Sequence, residues 1–391
     1  MVERSAAYDV LAALAARTVL DDRPPPAALI GRWSDADAVI APSLDVRAGV
    51  GPPDRPDRFW LGAISYAPPG QAPDVVGGLC DGLLLLREGS WTWESVDGST
   101  CPTWVAECLA DPTAPALSWR ASWTPPRKEP HVSAVARCLD AIADGEIYQA
   151  CVCTRFTGVL DGDPLGLFCD VAAAGAPAKA AWLSGDWGSI ASFSPEQFLD
   201  RRGDVVSSSP IKGTAPARVD PSVLAASAKD IAENVMIVDL VRNDLGRVAT
   251  IGSVQVPDLL SVVRAPGVWH LVSTVQATLR SDVGNDALLA ATMPPASVTG
   301  TPKIRAADLL ARWEEHGRGV YCGAVGVAGP DGLLDLSVAI RTVSVTPDGS
   351  LTLGVGGGIT ADSDPDVEWQ ECLDKAAATV DAASPSGLGT L

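Results

Sequence analysis

Towards the C-terminal end three strand-like runs follow one another, at 319–327, 332–345 and 350–355, with only short turns between them. Parallel neighbours need a crossover of a dozen or more residues, so strands joined this tightly pair antiparallel. Apolar runs at 180–193 and 203–209 have the same character, the second ending in Pro210. Helical patterns lie between the strands without a regular βαβ alternation. HVSAVARCLDAIADGE reads as a helix leading into a strand that begins near Ile147. A long helix is expected from Asp220 as N-cap and Pro221 at its first position to a stop at Gly246, and a terminal helix from Asp364–Pro365. Mixed elements of this kind predict an α+β fold.

The first 125 residues are uneven, with DDRPPPAAL and YAPPGQAPD breaking short strands at 58–66 and 82–87. SWTPPRKEP, with Pro125, Pro126 and Pro130, marks a boundary. We therefore expect an N-terminal region (1–125) contributing to one α+β body, a catalytic region (126–385) and a tail (386–391).

The chain of 391 residues carries 29 basic and 48 acidic side chains, a net charge of −19. Nucleic-acid phosphates favour Lys/Arg patches, so this balance argues against a nucleic-acid partner. No apolar run reaches the roughly 20 residues that span a bilayer, and the N-terminus lacks a signal-peptide pattern. The nine cysteines are scattered without zinc or disulfide spacing, although Cys151 and Cys153 face one side of a strand. These features predict reduced thiols, no membrane partner and a cytoplasmic location.

Two helices carry acidic pairs at a spacing of three, which places both members on one face. The first is Asp230 and Glu233; the second is Glu368 and Glu371, with Lys375 one turn beyond. Such pairs either clamp a hard divalent cation such as Mg²⁺ or form solvated helix faces. LTLGVGGGITADSDP sets Gly356, Gly357 and Gly358 between a strand and a helix start. That is either a place where backbone approaches an anionic ligand or a plain tight connection. Lys212 in SSSPIKGT is a solvated loop lysine or, if desolvated, a nucleophile. His270 lies in apolar VWHLVSTV, and Arg341 ends an apolar strand where burial would require an anionic partner. GxGxxG, P-loop, GxSxG, HExxH and CxxC patterns are absent. No cysteine has the setting of a glutaminase nucleophile, so any ammonia is expected from elsewhere.

Taken together, GEIYQACVCTRF, FSPEQFL, SSPIKGTAPAR, AENVMIVDLVRNDLGRV, HLVSTV, SVTGTPKIRA, RGVYCGAVG, LSVAIRTV and GGGITADSDPDVEWQECLDKA resemble the chorismate-utilising enzymes. The blocks run in family order from about 145 to 377, roughly three fifths of the chain. The resemblance implies two large antiparallel sheets packed together with helices outside. It implies Mg²⁺ on Glu233 and Glu371, with Asp230 and Glu368 as secondary partners, and Glu196 as the acid for the C4 hydroxyl of chorismate. Tyr321, Arg341 and the backbone of Gly357 and Gly358 match positions that hold the enolpyruvyl carboxylate. His270 and Ser297 match positions near the ring, and Gly213, Thr214 and Lys375 are further substrate contacts.

Two positions separate the family's reactions. Water-adding members carry a lysine base where this chain has Gln149, and anthranilate-forming members read PIAGT where it reads PIKGT. Lys212 is thus the mark of aminodeoxychorismate synthases, and ammonia is expected from a separate glutamine amidotransferase subunit. The rivals are amination at C2, giving anthranilate or 2-amino-2-deoxyisochorismate, and a silent chorismate-binding homologue.

Overall fold

The computed structural model describes residues 2–382, so the tail expected at 386–391 lies outside the described residues. Two antiparallel sheets dominate, one of eleven strands and one of ten, and helices cover their outer faces. The expected α+β architecture of two packed sheets is what the chain adopts.

The larger sheet is organised around the long strand Gln149–Gly162, which pairs along ten residues with Ser350–Ile359. Beyond it follow Thr342–Val345, Gly188–Ser194, Lys179–Gly185, Ala27–Trp33, Ala36–Ala41, Gly82–Arg87 and Ser90–Ser95. The smaller sheet runs from Ile211–Pro216 through Val268–Thr278 and Val205–Ser209 to Phe59–Ile64 and Val75–Cys80. Strands from the first 95 residues extend both sheets. Leu29, Trp33, Phe59, Leu61 and Leu83 from that region pack against Leu183 and Val325 in one apolar layer.

Several boundaries differ from the sequence reading. The run at 180–193 is a hairpin turning at 186–187. The long helix after Asp220 is two helices, Pro221–Ala225 and Ala228–Gly246. Asp220 caps the first through Ser222 N at 2.8 Å, but Ser227 then caps the second by accepting from Asp230 N at 3.3 Å. The S-x-x-D signature of that second start stands in the sequence as SAKD. The run at 332–345 is two strands in different sheets: Leu333–Val338 in the smaller and Thr342–Val345 in the larger. The chain crosses between them at Ile340–Arg341, where Arg341 takes the left-handed φ of 51°. Gly356, Gly357 and Gly358 lie within the strand Ser350–Ile359 rather than in a connection after it.

Candidate active site

Because the three glycines are strand residues, they let side chains approach the backbone closely on both faces of the larger sheet. A Cβ at Gly358 would lie 3.1 Å from Gln149 Nε2 and 3.5 Å from Lys212 Nζ. A Cβ at Gly357, on the opposite face, would lie 2.8 Å from Glu368 Oε2 and 3.9 Å from Glu371 Oε1. The bare backbone at 357–358 therefore separates an amine and an amide from a carboxylate pair.

Lys212 arrives from the edge strand of the smaller sheet. The register of Ile211–Pro216 against Val268–Thr278 shifts between Ile211 and Thr214, with Gly213 at φ 88° and packed on Asp230. A bulge of this kind re-aims the side chain beside it. Lys212 Nζ donates to the carbonyl of Ser297 at 2.8 Å and does not point into bulk water. Gln149 is fully buried, and neither its Nε2 nor its Oε1 has a hydrogen-bond partner. Leaving a buried amide unpaired costs about 1–3 kcal/mol, so this group is arranged for a polar ligand.

Glu196 is buried close by, with Oε1 3.5 Å from Ile211 N. Burial raises its pKa, and a hydrogen bond with Ser297 and the Lys212 charge offset this only in part. A carboxyl so placed is biased towards the protonated form, which suits an acid.

The two acid-bearing helices face each other through Glu233 and Glu368. Burial raises the pKa of Glu233, Lys212 and Lys229 oppose that, and Asp230 and Glu368 add repulsion. Burial likewise raises Glu368, with further repulsion from Glu371, while Ser363 Oγ donates to its Oε1 at 2.7 Å. At Glu371 burial pushes upward, but Lys375, Lys229 and Lys212 outweigh it and the pKa is lowered. Lys375 Nζ lies 2.6 Å from Glu371 Oε1 and donates to Gly356 O at 2.8 Å. Among the described residues no set of three or more His, Cys, Asp or Glu side chains is closed around a metal position. The repulsion between Glu233 and Glu368, and between Glu368 and Glu371, nonetheless fits a hard cation shared with an anionic ligand.

His270 Nδ1 and Thr214 Oγ1 lie 2.9 Å apart across the two paired strands. Burial, and then the Arg341 charge, lowers the His270 pKa to about 4, so the ring is neutral at neutral pH. Arg341 is exposed rather than buried, so it needs no protein partner, and the protein packed around its base lowers its pKa. No carboxylate among the described residues pairs with it, which leaves it available to an anionic ligand. Tyr321 is buried against Gly354, and its hydroxyl approaches Cys153 Sγ at 4.0 Å. Its ring also walls a neighbouring cavity.

Two buried ion pairs support the site and were not singled out in the sequence. Lys303 Nζ reaches Asp244 Oδ2 at 2.5 Å and donates to the carbonyls of Thr292 and Pro294, which anchors the segment leading to Ser297. Arg318 pairs with Glu314 at 2.6 Å and donates to Val298 O and Cys151 O, each at 2.7 Å. Both pairs lie in or beside the blocks GTPKIRA, VRNDLG and RGVY, but nothing in their spacing separates them from surface charges.

Residues 94–381, about three quarters of the chain, match the model of the chorismate binding enzyme family. The chain belongs to that family. Aminodeoxychorismate synthase component 1 of Klebsiella aerogenes is 37% identical over 317 residues, covering 78% of this chain and 70% of that protein. Anthranilate synthase component 1 of Streptomyces coelicolor is 40% identical over 258 residues, covering 63% of this chain and 50% of that protein. Among solved structures, anthranilate synthase component I from Streptococcus pneumoniae superposes with a TM-score of 0.71 at 23% identity, covering 85% of this chain and 83% of that one. At that identity the likeness is one of fold.

Proposed function

We propose that this chain is an amination enzyme acting at C4 of chorismate, forming 4-amino-4-deoxychorismate. The observation that carries this reading is Lys212 Nζ beside Gly358 and Gln149, held by Ser297 O and next to a buried acid. The Lys212 amine, in its uncharged form, adds to C2 of the ring, the double bonds shift, and the C4–O bond breaks as Glu196 gives its proton to the departing hydroxyl, which leaves as water. The adduct nitrogen then returns a proton to the Glu196 carboxylate. Ammonia then adds at C4, the double bonds shift back, and the C2–N bond to Lys212 breaks. Two displacements replace one difficult one. The enolpyruvyl group is retained, and its carboxylate is matched by Tyr321, Arg341 and the backbone of Gly357 and Gly358.

Mg²⁺ held by Glu233 and Glu371, with Asp230 and Glu368 beside them, would fix and polarise the ring carboxylate. Gln149 in place of a basic side chain leaves no lysine there to activate water, which favours amination over hydroxylation. Ammonia would come from a separate glutamine amidotransferase subunit.

Incubation with chorismate, Mg²⁺ and an ammonium salt should yield 4-amino-4-deoxychorismate, detected by mass and ultraviolet absorption. Lys212→Ala should lower its formation by 100-fold or more, and full activity in that variant would remove the covalent step. A second reading, amination at C2, is favoured by the likeness to the Streptomyces coelicolor protein. A fluorescent anthranilate product would decide for it.

A further inference from the structure

Beside the reaction cleft, sharing only the Tyr321 wall with it, lies a second cavity open to solvent, whose Arg155 end the proposed chemistry does not use. Its floor is the face of the larger sheet that also carries Gln149. Ser344 pairs with Thr352, and Gly354 with Arg155, so two hydroxyls and a guanidinium emerge side by side, next to the Tyr321 ring seated on Gly354. Trp313 and Tyr321 supply aromatic walls. Arg155 is the unusual member. No carboxylate among the described residues pairs with it, and its Nε is buried without a hydrogen-bond partner. A guanidinium left unpaired beside hydroxyls and flat aromatic surface matches a ligand with a carboxylate at one end and a ring at the other.

The same cavity is bounded by Glu314 and Arg318. Glu314 Oε1 accepts from Cys153 N at 3.0 Å, and Arg318 holds Val298 O and Cys151 O. Val298 follows Ser297, whose carbonyl holds Lys212. One buried ion pair thus forms a wall of the cavity and also braces the backbone that positions the amine.

We propose that this cavity is a second ligand site for a single-ring aromatic carboxylate, bound on Arg155, and that its occupancy lowers turnover through the Glu314–Arg318 brace. The link to turnover rests on the role proposed for Lys212; the binding does not.

Benzoate and 4-aminobenzoate serve as probes, titrated by calorimetry into the full chain with chorismate and Mg²⁺ saturating and ammonia absent. Binding should persist under those conditions, weaken at least 10-fold in Arg155→Gln and weaken several-fold in Thr352→Val. Acetate, which lacks the ring, should bind at least 10-fold more weakly. In turnover assays the probe should lower kcat at least 3-fold with KM for chorismate little changed, while Arg155→Gln without probe keeps its basal rate. Displacement by chorismate, equal affinity in wild type and both variants, or an unchanged kcat under saturating probe overturns the proposal. Turnover of the unliganded wild type tests the chorismate reading separately.

Discussion

The bare backbone at residue 358 makes a test in which stability and activity should part company. Gly358 has no left-handed φ, so alanine adds no backbone strain there. Its methyl would sit 3.1 Å from Gln149 Nε2 and 3.5 Å from Lys212 Nζ, the ends of two side chains that can yield by a few tenths of an ångström. Replacing glycine at a compatible position stabilises by about 0.4–1 kcal/mol through the unfolded chain, which offsets that crowding. We therefore expect Gly358→Ala to unfold within about 1 kcal/mol of wild type in urea. On the proposed function the methyl would occupy the space in which chorismate meets the strand, so kcat/KM for chorismate should fall at least 100-fold, about 2.7 kcal/mol of transition-state stabilisation. Wild-type kcat/KM would show that the strand does not touch substrate. A loss of stability beyond about 3 kcal/mol would show that the glycine serves packing instead.

The remaining expectations concern charge. Glu371→Gln should weaken Mg²⁺ dependence at least 10-fold and lower turnover at least 100-fold, and an unchanged Mg²⁺ titration would refute the metal assignment. Lys303→Met leaves the Asp244 carboxylate buried without its partner, which should cost about 3–5 kcal/mol in denaturant unfolding; pairing it with Asp244→Asn should recover part of that. Burial raises the folded-state pKa of Glu196, so the folded chain holds that proton more tightly than the unfolded chain does. Its stabilising contribution is complete below the unfolded value of about 4.3 and is lost as pH rises through the folded value. The stability of Glu196→Gln relative to wild type should accordingly increase over that rise, and parallel pH profiles for the two proteins would contradict the assignment.

Much of the candidate site was legible because the residues proposed for it stand in short segments. The acid pairs at 230/233 and 368/371 were readable as shared helix faces, and PIKGT marked Lys212 before any contact was known. Asp364 and Pro365 announced the terminal helix, and Asp364 does cap it. SAKD also carried its signal, but the longer apolar pattern around it hid the second helix start. The strand break at Arg341 was not readable, since an uninterrupted apolar run does not say that its two halves belong to different sheets.

The sequence by itself settled the antiparallel pairing, the acid-bearing helices and the choice of residues at 149 and 212. These follow from local spacing, turn length and residue type, which the chain carries wherever it folds. The tertiary structure alone decided that Gly357 and Gly358 are strand residues whose bare backbone is met by carboxylates on one face and by Gln149 and Lys212 on the other. It also decided that the amide of Gln149 is buried unpaired, and that the charges of Arg318 and Lys303 are interior braces rather than surface ions. Burial and the approach of distant segments set those properties, and neither is written in the order of residues along one stretch of chain.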